Sequence, residues 1–146
     1  MKLTPILATA LLVKVSTMSC AASGNDFDAV VSAVEHRYQV HAQRVPMMGL
    51  VSLCAHVATG GGVKGMHIAE FEHLTHIAGT EELSQLVSVS LGDQWQHFIT
   101  EREGNHKLSV IFVRPEGDGM RMLIAEMDHG ELDVIRMELN GQHLAK

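Results

Sequence analysis

Between Trp95 and Leu139 apolar residues fall at every second position in successive short runs, and each run ends on a turn signal. Strand side chains alternate between faces with a period of two, so such runs are strands with one face buried. Connections this short join neighbours antiparallel. The runs are Phe98 and Thr100 against Ile99 and Glu101, then Leu108, Val110 and Phe112, then Met120, Met122 and Ile124. The fourth buries Leu132 and Val134, or else Ile135, Met137 and Leu139. Gly104-Asn105, Arg114-Pro115-Glu116-Gly117-Asp118-Gly119 and Asp128-His129-Gly130 separate them, and Asn140-Gly141 closes the last. The pattern predicts a four-stranded antiparallel meander.

Upstream the period is 3.6. Asn25 and Asp26 cap a helix whose positions Phe27, Val30, Val31, Val34 and Tyr38 form one face. After a break at His41 to Arg44, Pro46 opens a second helix carrying Met47, Leu50, Cys54 and Val57. Gly60-Gly61-Gly62 stops it, because three glycines hold helical backbone at too high an entropic cost. Val63 to Glu72 reads as an additional strand. Thr80 opens a third helix with Glu81 and Glu82 in its first turn, apolar Leu83, Leu86, Val87 and Leu91, and Gly92 as its stop. The expectation is an α+β domain of two layers: an antiparallel β-meander with an additional strand, and helices packed on one face. Phe27, Val31, Val34, Leu50, Val57 and Leu86 should meet the apolar face of the meander. Trp95 reads as a core anchor.

The chain begins like a secretory signal. Lys2 supplies a positive start, Ile6 to Val13 is a short apolar run, and small residues follow from Ser19 to Ser23. This predicts a signal peptide over 1–23 and a single domain over 24–146. The alternative is a buried N-terminal helix. Nothing after the leader approaches the about 18 consecutive apolar residues of a membrane span, so no transmembrane span is expected in the mature chain. Cys20 after Ser19 opens a second route, a lipid anchor on an acylated cysteine, although Thr17 stands where lipoprotein signals usually carry an aliphatic residue. The expected location is therefore outside the cytoplasm, periplasmic or secreted, or else membrane-anchored as a lipoprotein. Cys54 then has no partner cysteine and reads as a buried thiol among Leu50, Val51, Leu53 and Val57.

The net charge is −6, and a departing leader takes Lys2 and Lys14 with it, leaving −8. An acidic domain lacks the basic footprint that phosphate backbones demand, which excludes nucleic acid as the expected partner.

Several landmarks occur together: Arg44-Val45-Pro46, Gly49-Leu50, the glycine-rich break, and Val63-Lys64-Gly65 opening a strand that ends at Phe71-Glu72. Gly92-x-x-Trp95, Arg114-Pro115-Glu116-Gly117 and Asn140-Gly141 follow. In these the chain, from about Asp28 to its end, resembles a family of exported bacterial domains of unknown function, number forty-two fifty-two. The resemblance implies export, often with a lipid anchor, and an α+β fold. It brings no catalytic residues.

Glu70, Glu72, His73 and His76 form the densest cluster of metal-ligand types, and imidazole with carboxylate suits zinc or a similar ion. The plainer reading is a solvated strand end, since the spacing matches neither H-E-x-x-H nor a Cys/His finger. Met120-x-Met122 places two thioethers on one face, a copper(I) pattern or ordinary packing. Glu101, Glu103, Glu126 and Asp128 could pair across strands like hydrolase carboxylates, or simply line a wet sheet face. There is no nucleophile elbow, nucleotide loop or cysteine–histidine pair, so no catalytic residue and no cofactor is assigned. The expected function is a non-enzymatic domain of the cell envelope that binds a protein or small ligand on the sheet face away from the helices. Its rivals are a periplasmic histidine-based metal-binding protein and an enzyme with an unrecognised site.

Overall fold

The computed structural model describes residues 26–44, 62–74, 79–104 and 107–141. The leader, the expected helix after Pro46 and His76 lie outside them.

Helix α1 (Asp26–Tyr38) buries Phe27, Val30, Val31 and Val34, the stripe that its 3.6 period defines. Strand β1 (Gln43–Arg44) follows, then β2 (Val63–Phe71), helix α2 (Thr80–Leu91) and strands β3 (Gln96–Glu103), β4 (Lys107–Glu116), β5 (Gly119–Asp128) and β6 (Glu131–Leu139). The last four form the expected meander. The additional strand lies against its final member, so the six-stranded sheet runs β1-β2-β6-β5-β4-β3. Every pairing is antiparallel.

Turn chemistry fixes the register. His129 and Gly130 both have positive φ, the combination whose twist matches a two-residue hairpin. Gly119 and Gly141 answer a different need, because a Cβ on either would strike backbone, the Leu139 carbonyl in one case and the Asp118 carbonyl in the other.

Direct pairing places Val110, Ala125, Val134 and Ala69 in one row across β4, β5, β6 and β2. All four are fully buried, in one cluster with Phe71, Leu108, Phe112, Leu123, Leu132 and Trp95. The α1 residues named above and Leu83, Val87 and Leu91 of α2 belong to that same cluster, with Leu86 packed against it. In β6 the buried alternative is thus Leu132 and Val134. In β5 it is Leu123 and Ala125, so Met120, Met122 and Ile124 occupy the opposite face. Met127 packs against the core, as gap-filling methionines do.

The helices are tied to one another and to the sheet by charge. Arg37 and Tyr38 of α1 both donate to the Glu82 carboxylate of α2, at 3.1 and 3.2 Å. Burial first, then the Glu82 charge and hydrogen bond, push the Tyr38 hydroxyl up to about 12. Asp26, in the first turn of α1, lies 2.9 Å from Arg114 and 3.5 Å from Arg121. Arg121 also meets Glu116 and Glu138, Arg136 meets Glu138, and Arg114 stacks over the Trp95 ring at 5.2 Å.

Candidate binding face

Because successive strand residues point to opposite faces, the residues between the buried ones define the sheet's second face. At its centre Ile99 pairs with Ile111, Ile111 with Ile124, Ile124 with Ile135 and Ile135 with Ile68. One isoleucine thus comes from each of β3, β4, β5, β6 and β2. With strands about 4.8 Å apart, this ladder extends about 19 Å across the sheet. Towards the β4–β5 turn, Val113, Met122 and Met137 form a parallel apolar row. None of these residues belongs to the cluster that the helices enter. Most are half-buried, and Ile99 is exposed.

On the ladder's other side, about 7 Å along the strands, the chemistry reverses. Gln43 pairs with Glu70, Glu70 with Asp133, Asp133 with Glu126, Glu126 with Ser109 and Ser109 with Glu101. Glu70, Asp133 and Glu126 are therefore immediate cross-strand neighbours. Partial burial, then the charges of Glu70, Glu126 and Glu131, push the Asp133 carboxyl above its ordinary value. Among the described residues one counter-charge enters the row: Lys107 lies 3.0 Å from Glu126, and that contact pushes the lysine up. Among the described residues, no hydrogen bond or ion pair joins Asp133 or Glu70 to a basic group.

Of the four sequence-predicted ligands, His76 lies outside the described residues. Glu70 belongs to the carboxylate row. Glu72 and His73 follow the end of β2, 3.9 Å apart, with His73 largely exposed and at positive φ. They line an open cleft of about 610 Å³ with Leu74, His129, Gly130 and Glu131. Among the described residues, no three His, Cys, Asp or Glu side chains are grouped to hold a metal ion. The proposed pairing of Glu101 and Glu103 with Glu126 and Asp128 is interrupted by β4, which places Ser109 and Lys107 between them. Asp133 carries no local sequence signal of this role, because only the pairing of β2 with the distant β6 brings it beside Glu70.

No helix among the described residues is long and apolar enough to cross a membrane. No family model matches the chain, and neither does any curated protein or solved structure. The resemblance to the exported family rests on the quoted landmarks alone.

Proposed function

We propose that this chain is an exported, non-enzymatic binding domain of the cell envelope, and that it binds through the sheet face bearing the isoleucine ladder. In this reading the described helices form one layer and the sheet the other, and neither described helix packs on the second sheet face. The observation that carries it is the ladder itself, a row of isoleucines outside the core cluster and flanked by carboxylates on one side. Contiguous apolar surface with a polar rim is the usual composition of an interaction site. Export follows from the leader and from the family resemblance, with the mature chain beginning between Cys20 and Asn25.

Two measurements test the reading. Capture from envelope extract should be lost when Ile111→Lys and Ile135→Lys are combined, with the circular dichroism spectrum unchanged. Capture that persists would move the site elsewhere. Intact-mass analysis of the envelope fraction should show a chain lacking Met1, and a lipid mass on Cys20 would identify the anchored form. Retained Met1 would refute export through this leader.

A further inference from the structure

Resting on that reading of the sheet face, we propose that its occupant is a cationic amphipathic helix, with its apolar stripe on the isoleucine ladder and lysines or arginines along one flank on the carboxylate row. Three features of the face define this partner.

The first is dimension. The ladder's length of about 19 Å matches a helix of about 13 residues, three to four turns. A helix laid along it repeats every 5.4 Å, close to the about 4.8 Å between strands, so one flanking residue per turn meets about one strand of the row. The second is charge. Glu101, Glu126, Asp133 and Glu70 line a single edge of the apolar zone, and beyond them Glu103, Lys107, Asp128 and Glu131 form the next row. Lys107 is the one described lysine or arginine on that part of the face, and Glu126 already engages it. A partner that brings cations to this edge relieves the like-charge opposition of Glu70, Asp133 and Glu126, which pair directly across adjacent strands. The third is the poor fit of a second copy and of an anionic lipid surface. A second copy with ladders stacked sets the carboxylates against carboxylates, or against Val113, Met122 and Met137, and neither register supplies a cation. An anionic lipid surface is repelled by the row.

The probe is a labelled 14-residue helical peptide with leucines at i, i+3, i+4, i+7 and i+11 and lysines along one flank. Its control carries glutamates in place of the lysines. Fluorescence anisotropy with the full chain should show at least tenfold tighter binding of the lysine peptide, declining as salt rises. Glu126→Gln with Asp133→Asn should abolish most of that preference, and Ile124→Ser with Ile135→Ser should weaken both peptides. The conservative acid variants keep the test sound should the isoleucine variants fail to fold. Equal binding of the two peptides, lost in the isoleucine variants, would overturn the cationic partner while leaving the face as the site. Failure of both to bind, or binding indifferent to the isoleucine variants, would overturn both proposals. A dimer seen by sedimentation and dissociated by Ile124→Ser, or flotation with phosphatidylglycerol vesicles, would overturn the helix in favour of a second copy or a membrane.

Discussion

Asp26→Asn tests how α1 is held to the sheet. The carboxylate is buried to 14% side-chain exposure, Arg114 and Arg121 are at 15% and 11%, and all three lie within ion-pair distance. Asn is nearly isosteric, so the change removes charge without opening a cavity. Arg121 keeps Glu116 and Glu138, whereas Arg114 keeps only the Trp95 ring face among the contacts described above. Breaking a well-buried pair costs about 3–5 kcal/mol, because the surviving charge stays uncompensated. Here the sites are partly wet, and Asp26 Oδ2 makes an ionic contact without a directed hydrogen bond. Both facts argue for less, about 1.5–2 kcal/mol. Loss of a negative charge from the first turn adds about 0.5 kcal/mol through the helix dipole. The sum of about 2 kcal/mol corresponds to a melting point lower by about 8 °C for a domain of this size. Trp95 is the chain's single tryptophan and is buried beside Arg114, so its fluorescence reports both urea unfolding and local rearrangement. A double-mutant cycle with Arg114→Met isolates the pair. A change below about 0.5 kcal/mol in Asp26→Asn, or a coupling near zero, would refute the account of α1 as anchored by charge.

Asp133→Asn should stabilise the protein at neutral pH by a few tenths of a kcal/mol, the scale of like charges opposed across strands. The folded carboxyl sits above its ordinary 3.8, so the folded chain binds the proton more tightly and stability falls as pH rises through that interval. The gain should shrink towards acid pH, and a gain independent of pH would count against repulsion as its source. Tyr38, the only tyrosine, should ionise near 12 in the native protein and near 10 when unfolded, read by ultraviolet titration. Its raised pKa makes stability fall as pH rises from 10 towards 12, and Tyr38→Phe should flatten that limb. Gly119→Ala should cost at least about 1–3 kcal/mol, since the added carbon meets the Leu139 carbonyl and the strand ends must part. A melting point within a degree of wild type would show that this turn yields freely.

The meander was legible because turn residues bound each of its strands and β4 and β6 alternate with period two, and α1 and α2 because their apolar stripes repeat at 3.6. Three things escaped. Strand β1 is two residues long and has no periodicity of its own; only its pairing with Glu70 and Ala69 defines it. In β5 both faces are apolar, so Met120, Met122 and Ile124 looked as core-like as Leu123 and Ala125. In β3 a bulge between His97 and Ile99 breaks the alternation and leaves Phe98 61% exposed, so reading Phe98 with Thr100 as one face did not follow the backbone. The site was legible one strand at a time. Each isoleucine stands near the middle of its strand, but that they align is a fact of register, and register between β2 and β6 is set across more than 60 residues of chain.

The two sheet faces handle charge in opposite ways, and that contrast is the reason to look for function on the second. On the helix side Asp26, Glu116 and Glu138 each sit against an arginine, so these acids are compensated within the fold. On the other side Glu70, Asp133 and Glu126 are set against each other, with Lys107 their only described relief. The isoleucine ladder alone would not settle the matter, because cross-strand isoleucine pairs stabilise a sheet whether or not anything binds them. The carboxylates bring no such gain: Glu70, Asp133 and Glu126 set like charges opposite one another across strands, and Lys107 engages Glu126 alone. The consequence is a trade that a merely wet sheet face would not show. Glu126→Gln with Asp133→Asn should raise the melting point and weaken binding of the lysine peptide in the same protein. Were the double variant neither more stable nor poorer at binding, the row would be ordinary solvated surface.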